Sequence, residues 1–211
     1  FGLFTARPEI CQDLLQVFNY LTGYAESPEC QSLLVAPFEM RSRLEEMIRA
    51  EIDAANSGHK ARIVLKMNAL EDFAFTRLLY EAAQAGVQVD LIVRGICRIQ
   101  PGAAGTGDRI RVVSVVGKYL EHSRLFAFHN RGKPLYWIGS ADLMKRNLDE
   151  RIEVLAPVLS TEHKQVLQSV IDALLADNRS GWRLQGREWQ PPSKTDEPGA
   201  HTIFERSAPF S

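Results

Sequence analysis

Three short, unbroken apolar runs separated by helix-length segments constrain this chain's fold more than any other feature. They are SLLVAP from Ser32, ARIVLKM from Ala61 and VQVDLIVRG from Val87. Such runs suit strands covered on both faces, which occur mainly in parallel sheets. A helix from Phe38 to Asn56, stopped near Ser57-Gly58, fills the first gap. A second, from Glu71 to Gln84 and ended before Gly86, fills the other. This alternation predicts an α/β fold with a mixed, mostly parallel central sheet flanked by helices. In such sheets ligands gather outside the carboxyl edge, where Lys66 and Asn68 close one strand and Arg94 the next.

Ahead of this block, residues 8–22 open with Pro8 and repeat apolar groups at Ile10, Leu14, Val17, Phe18 and Leu21, the pattern of a helix with one apolar face. Behind it, the Gly102–Gly107 loop lacks the GxxxxGK[ST] pattern and no helix follows, which excludes a phosphate-binding P-loop there. Residues 109–143 carry three more strands, with Asn130-Arg131-Gly132-Lys133 as the turn of a hairpin between HSRLFAFH and PLYWIGS. RIEVLAPVL predicts another strand, and residues 161–177 an amphipathic helix. From about Gln185 the sequence is polar and proline-rich, so 189–211 is expected to be a flexible tail.

A formal net charge of −1 speaks against a polyanionic partner, but its distribution speaks for one. Between Arg94 and Arg151 stand eleven Lys and Arg, eight of them arginine, against five Asp and Glu. Such a local excess focuses a positive field without making the whole chain basic. The three cysteines are far apart and lack CxxC spacing, so neither a disulfide framework nor a zinc site is expected, and a cytoplasmic setting fits. No apolar run reaches the length of a membrane-spanning helix. The opening Phe1-Gly2-Leu3-Phe4 reads as a chain cut from something longer.

The candidate chemistry centres on His122 in YLEHSRLFAF. Seventeen residues later comes Gly139-Ser140-Ala141-Asp142. A hairpin brings the two segments side by side, setting His122 and Arg124 against Ser140 and Asp142. A histidine in that company binds a phosphoryl oxygen or exchanges a proton with it. Taken alone, a strand histidine is more often a surface or satisfied core residue. His59, His129, His163 and His201 fall in turns or in the tail and show no comparable company.

His122-x-Arg124, a hairpin and then GSAD resemble a degraded phospholipase D signature, HxKx4Dx6GSxN. Arginine stands for the lysine, His129 for the downstream aspartate and Asp142 for the asparagine. That form resembles the polyphosphate kinases of the phospholipase D superfamily. The likeness extends through FGLFTARPEI, VFNYLTGY, LLVAPFEMR, LKMNAL, AAQAGVQVDLIVRGICRIQPG, IRVVSVVGKYLEHSR, GSADLMKRNLDERIEV and LLADN. It implies a phospholipase D-like domain over 28–188, with 1–27 the end of a preceding domain of the same kind.

It also implies reversible transfer of the terminal phosphate of ATP to inorganic polyphosphate, through a phosphohistidine that lies ahead of Phe1. ATP/ADP and polyphosphate would be the substrates. The Mg2+ ligands would belong to the rest of the same polypeptide, with none in this chain, and the whole enzyme would form a homo-oligomer. Arg94 and His122 match the family's nucleotide contacts, with His122 as phosphate ligand or acid-base group. Lys66, Arg124, Arg146 and Arg151 are expected either to line a polyanion path or to form salt bridges with Glu121, Asp142, Asp149 or Glu150. Two other readings stay open. One is a phospholipase D-like phosphodiesterase or nuclease with His122 as nucleophile, and the other is a non-catalytic polyanion-binding module.

Overall fold

A computed structural model describes residues 1–193 and 195–207. In chain order the elements are α1 (Pro8–Leu21), β1 (Leu34–Ala36), α2 (Met40–Asn56), β2 (Arg62–Met67), α3 (Phe73–Ala85), β3 (Gln88–Val93), β4 (Ile110–Val115), β5 (Arg124–Phe128), β6 (Leu135–Gly139), α4 (Lys145–Asp149), β7 (Glu153–Pro157), α5 (Thr161–Ala176), β8 (Gly181–Gln185), β9 (Glu188–Gln190) and α6 (Ala200–Ser207). The described strands join one sheet in the order β1-β7-β6-β5-β2-β3-β4-β8-β9.

The sheet is mixed but mostly antiparallel, which corrects the mostly parallel expectation. Only β2 with β3 and β3 with β4 run parallel, and every other neighbouring pair is antiparallel. Helix α3 returns the chain to the start of the sheet and so makes β2 and β3 parallel. The short turn between β5 and β6 reverses direction instead, as a short connection must, and the longer link through α4 also returns β7 antiparallel to β6. Strand β1, which the alternation placed in the parallel block, lies at the far edge against β7.

Side chains alternate across the sheet and build a core on each face. Ile63, Leu65, Met67, Val89, Leu91, Val93, Phe126 and Phe128 pack with Leu44, Ile48, Phe75 and Leu79 of α2 and α3. Val64, Ile92, Val113, Leu125 and Ala127 pack with Leu167, Ile171 and Leu174 of α5. Lys66 shares the parity of Val64, so its place in the strand directs it to the α5 side. Helix α1 packs Ile10 and Val17 on Leu33 and Val35. The buried Asp13 of α1 accepts the backbone N–H groups of Gln31, Ser32 and Leu33 and ties the helix to the approach of β1.

The tail departs from expectation. Residues 200–207 form helix α6, Ala200 and His201 are buried, and Phe204 packs on the α5-side core. Asp177 holds the start of this helix by accepting the N–H of Ala200 at 2.8 Å. The flexible-tail expectation therefore does not describe 199–207, and its positions 194 and 208–211 lie outside the described residues.

Gly139 ends β6 where β7 passes closest. A Cβ there would lie 1.9 Å from the Val154 carbonyl oxygen and 2.9 Å from Leu155 Cα. Because both are backbone atoms, the strands themselves would have to part. Gly139→Ala is expected to cost about 3 kcal/mol in chemical denaturation of the chain. A loss under about 0.5 kcal/mol would show that β6 and β7 are not packed this closely.

Candidate active site

Residues 119–124 run along the edge where β2 ends and β5 begins, and every side chain around His122 is tethered. Arg124 opens β5 opposite Gly139. Its Nε and Nη2 donate to the two carboxylate oxygens of buried Asp142, at 3.2 and 3.1 Å. Asp142 also accepts the backbone N–H of Asn68 at 2.7 Å and its amide at 3.3 Å. Two of the three departures from the phospholipase D signature, Arg124 and Asp142, are thus a matched pair. A carboxylate in place of the asparagine receives the planar fork that arginine offers and lysine does not.

The remaining arm of Arg124 orients His122. Its Nη1 donates to the His122 carbonyl oxygen at 2.7 Å and lies 2.9 Å from the ring Nδ1. The same nitrogen lies 3.4 Å from Nε2, and because a guanidinium only donates, the ring meets it as an acceptor, with Nδ1 the nearer atom. The Arg124 charge, with some burial and the charge of Arg94, holds the His122 imidazole below its ordinary 6.5, although Asp142 pulls it upward. Near neutral pH the ring is uncharged and offers an N–H donor. His122 is exposed, in a cleft of about 790 Å³ lined also by Leu120, Arg124, Ile138, Gly139 and Ser140.

Lys66 does not fit the expectation of a polyanion path. It is 2% exposed, and its ammonium meets Glu121 Oε2 at 2.8 Å while donating to the Ser123 carbonyl and hydroxyl oxygens. Burial, opposed by Glu121, keeps it below its ordinary range. Glu121 is held low in turn, because Lys66 and His201 outweigh the effect of its own burial. The buried pair thus anchors residues 121 and 123 on either side of His122.

Arg94 differs from every other cation here. Its Nη1 is buried, and its guanidinium has no hydrogen-bond or carboxylate partner among the described residues. It does not line the cleft; it is felt at Lys66 and His122 through its charge. Arg146 and Arg151 are exposed and without a carboxylate partner among the described residues, Asp149 being taken by Arg41. Ser140 lines the cleft but gives its oxygen to the N–H of Val154.

The sequence offered Glu121 only as one possible salt-bridge partner and gave Ser123 no role, although the two flank His122 in EHSR and their shared parity was the available signal. His201 escaped it because polar, proline-rich surroundings concealed a buried residue. Two of the thiols are disfavoured as thiolates: burial and the charges of Asp13 and Glu39 push Cys30 up to about 12, and burial raises Cys97.

Comparison with known proteins adds a family. The model described as polyphosphate kinase C-terminal domain 2 matches residues 33–201. A polyphosphate kinase of Thermosynechococcus vestitus is 48% identical over 207 residues, covering 96% of this chain but 28% of that protein. The chain thus spans less than a third of such relatives. The crystal structure of polyphosphate kinase from Porphyromonas gingivalis superposes with a TM-score of 0.89 at 37% identity, over 96% of this chain and 32% of that one. Nuc from Salmonella typhimurium, a phospholipase D family member, shares the fold at a TM-score of 0.50 and 14% identity, over 74% of this chain and 99% of its own.

The His122 ring should therefore titrate below 6.5 in an NMR pH series. Replacing Arg124 by alanine removes the principal cause and should move it upward. A wild-type ring titrating at or above 6.5, unmoved in Arg124→Ala, would contradict the arrangement.

Proposed function

The chain belongs to the polyphosphate kinase family, as its C-terminal domain 2, and from that premise we propose that it provides the nucleotide-phosphate half of a polyphosphate kinase site. The reaction is reversible transfer of the terminal phosphoryl group of ATP to inorganic polyphosphate, through a phosphohistidine carried elsewhere in a longer polypeptide. On this reading 28–188 is the last phospholipase D-like domain and 1–27 the end of the one before it. Exposed Leu14, Leu15, Phe18 and Leu21 on α1 are consistent with a helix that meets a further domain.

The observation that carries the proposal is Arg94. A partly desolvated guanidinium without a partner is costly unless an anion completes it. Phosphate oxygens match its fork in the way a carboxylate does. The His122 imidazole, biased toward its uncharged form by the neighbouring cations, adds a ring N–H donor for the same anion and needs no protonation to do so. Phosphoryl transfer relies chiefly on positioning and on neutralising charge over the transferring oxygens. Arg124 contributes its positive charge while its donors stay committed to Asp142 and His122. Arg146 and Arg151 are suited to a polyphosphate path, whereas Lys66 is a buried strut.

The family's chemistry also calls for Mg2+. No three His, Cys, Asp or Glu side chains gather to hold an ion among the described residues, and Asp142 and Glu121 are committed to Arg124 and Lys66. No step assigned to this chain runs through the metal.

In the full-length polypeptide, Arg94→Ala and His122→Ala should each lower kcat/KM for ATP by about 100-fold or more with the thermal midpoint kept. Arg94→Lys should recover little, because it lacks the fork. Wild-type-like turnover in both alanine variants would overturn the assignment. Phosphodiester hydrolysis abolished by His122→Ala would favour a phosphodiesterase instead.

A further inference from the structure

His201, in helix α6, is joined to the loop that carries His122. Its ring is 7% exposed. Nδ1 accepts the backbone N–H of Tyr119 at 3.1 Å, so the ring proton resides on Nε2 and is donated to Glu121 Oε1 at 2.7 Å. The other Glu121 oxygen meets Lys66, which also holds Ser123. The loop is thus pinned at 119, 121 and 123, on both sides of the exposed His122. The chain of contacts begins outside the sheet.

Two independent features show that the contact is built for close approach. A Cβ at Gly117 would lie 2.7 Å from His201 Nδ1 and 3.0 Å from Cε1, so only glycine admits the ring there. Beyond His201, Glu205 of the same helix pairs with Lys118 and accepts from the Tyr119 hydroxyl. Asp177 and the Phe204 packing hold the helix against the body.

We propose that helix α6 is a strap that sets the His122 loop for catalysis, with His201 as a positioning residue acting through Glu121 and Lys66. The inference rests on the reading of His122 as a phosphate-contacting group. No substrate need touch α6. Its effect is geometric: without the Nε2–H donor, Glu121 loses one of two partners and the loop its fixed register, and displacement by about 1 Å suffices to cost up to about 100-fold in rate.

The test is a double-mutant cycle in the full-length polypeptide, with turnover and thermal midpoint measured together. His201→Leu should lower kcat between about 10- and 100-fold. His201→Gln, whose amide still reaches Glu121 as a donor, should recover much of the loss. Gly117→Ala, which displaces the ring from the opposite side, should resemble His201→Leu. Each variant combined with His122→Ala should fall less than about 2-fold below His122→Ala alone, since the strap acts through that residue. Losses that multiply in full, or equal losses in His201→Leu and His201→Gln, would overturn the proposal. So would wild-type turnover in His201→Leu while His122→Ala is inactive. Should His201→Leu fail to fold, the Gly117→Ala and His201→Gln cycles decide by the same criteria. Wild-type turnover in His122→Ala would sink the underlying reading instead, and that outcome is separate from the others.

Discussion

The arrangement depends on one buried carboxylate. Asp142 sits between three segments that are far apart in sequence: the end of β2 through Asn68, the start of β5 through Arg124, and its own link between β6 and α4. A buried charge is tolerated only when paired and hydrogen-bonded, and here both oxygens are occupied. Removing either partner would leave an uncompensated ion. The same contact fixes Arg124, whose third nitrogen orients His122. Fold and site are therefore coupled through this ion pair, with Lys66–Glu121 as a second tie to the same loop.

Charge bookkeeping at this edge separates struts from ligand-seeking groups. Three cations, Lys66, Arg94 and Arg124, lie near enough to act on the His122 ring. Glu121 neutralises the first and Asp142 the third. Arg94 is left without a counter-charge, its Nη1 shielded from water. On the proposed reading, Arg94 is the cation left to meet a nucleotide phosphate, the other two being balanced by Glu121 and Asp142. The neutral His122 ring belongs to the same logic, since neighbouring cations disfavour its protonation until an anion arrives.

Much of this was readable from periodicity. Strands and helices between residues 33 and 94 announced themselves, and the hairpin that sets Arg124 against Asp142 followed from its turn residues and the spacing to GSAD. Strand order was not readable, because β1 crosses to the far edge and local alternation carries no record of which strands meet. The burial of Lys66 was hidden for a similar reason, as a lysine closing a strand looks the same whether it faces solvent or a carboxylate from another segment. His201 lies 80 residues from its partner Glu121, in a composition typical of tails. Only the tertiary contact reveals it.

The central claim is that Arg94 and His122 address one anion. The most direct measurement is a structure of the full-length polypeptide with an ATP analogue bound. The Arg94 guanidinium and a ring N–H of His122 should touch oxygens of the same nucleotide phosphate, while Arg124 stays on Asp142 and Lys66 on Glu121. A nucleotide whose phosphates are held elsewhere, with Arg94 still unpartnered, would contradict it.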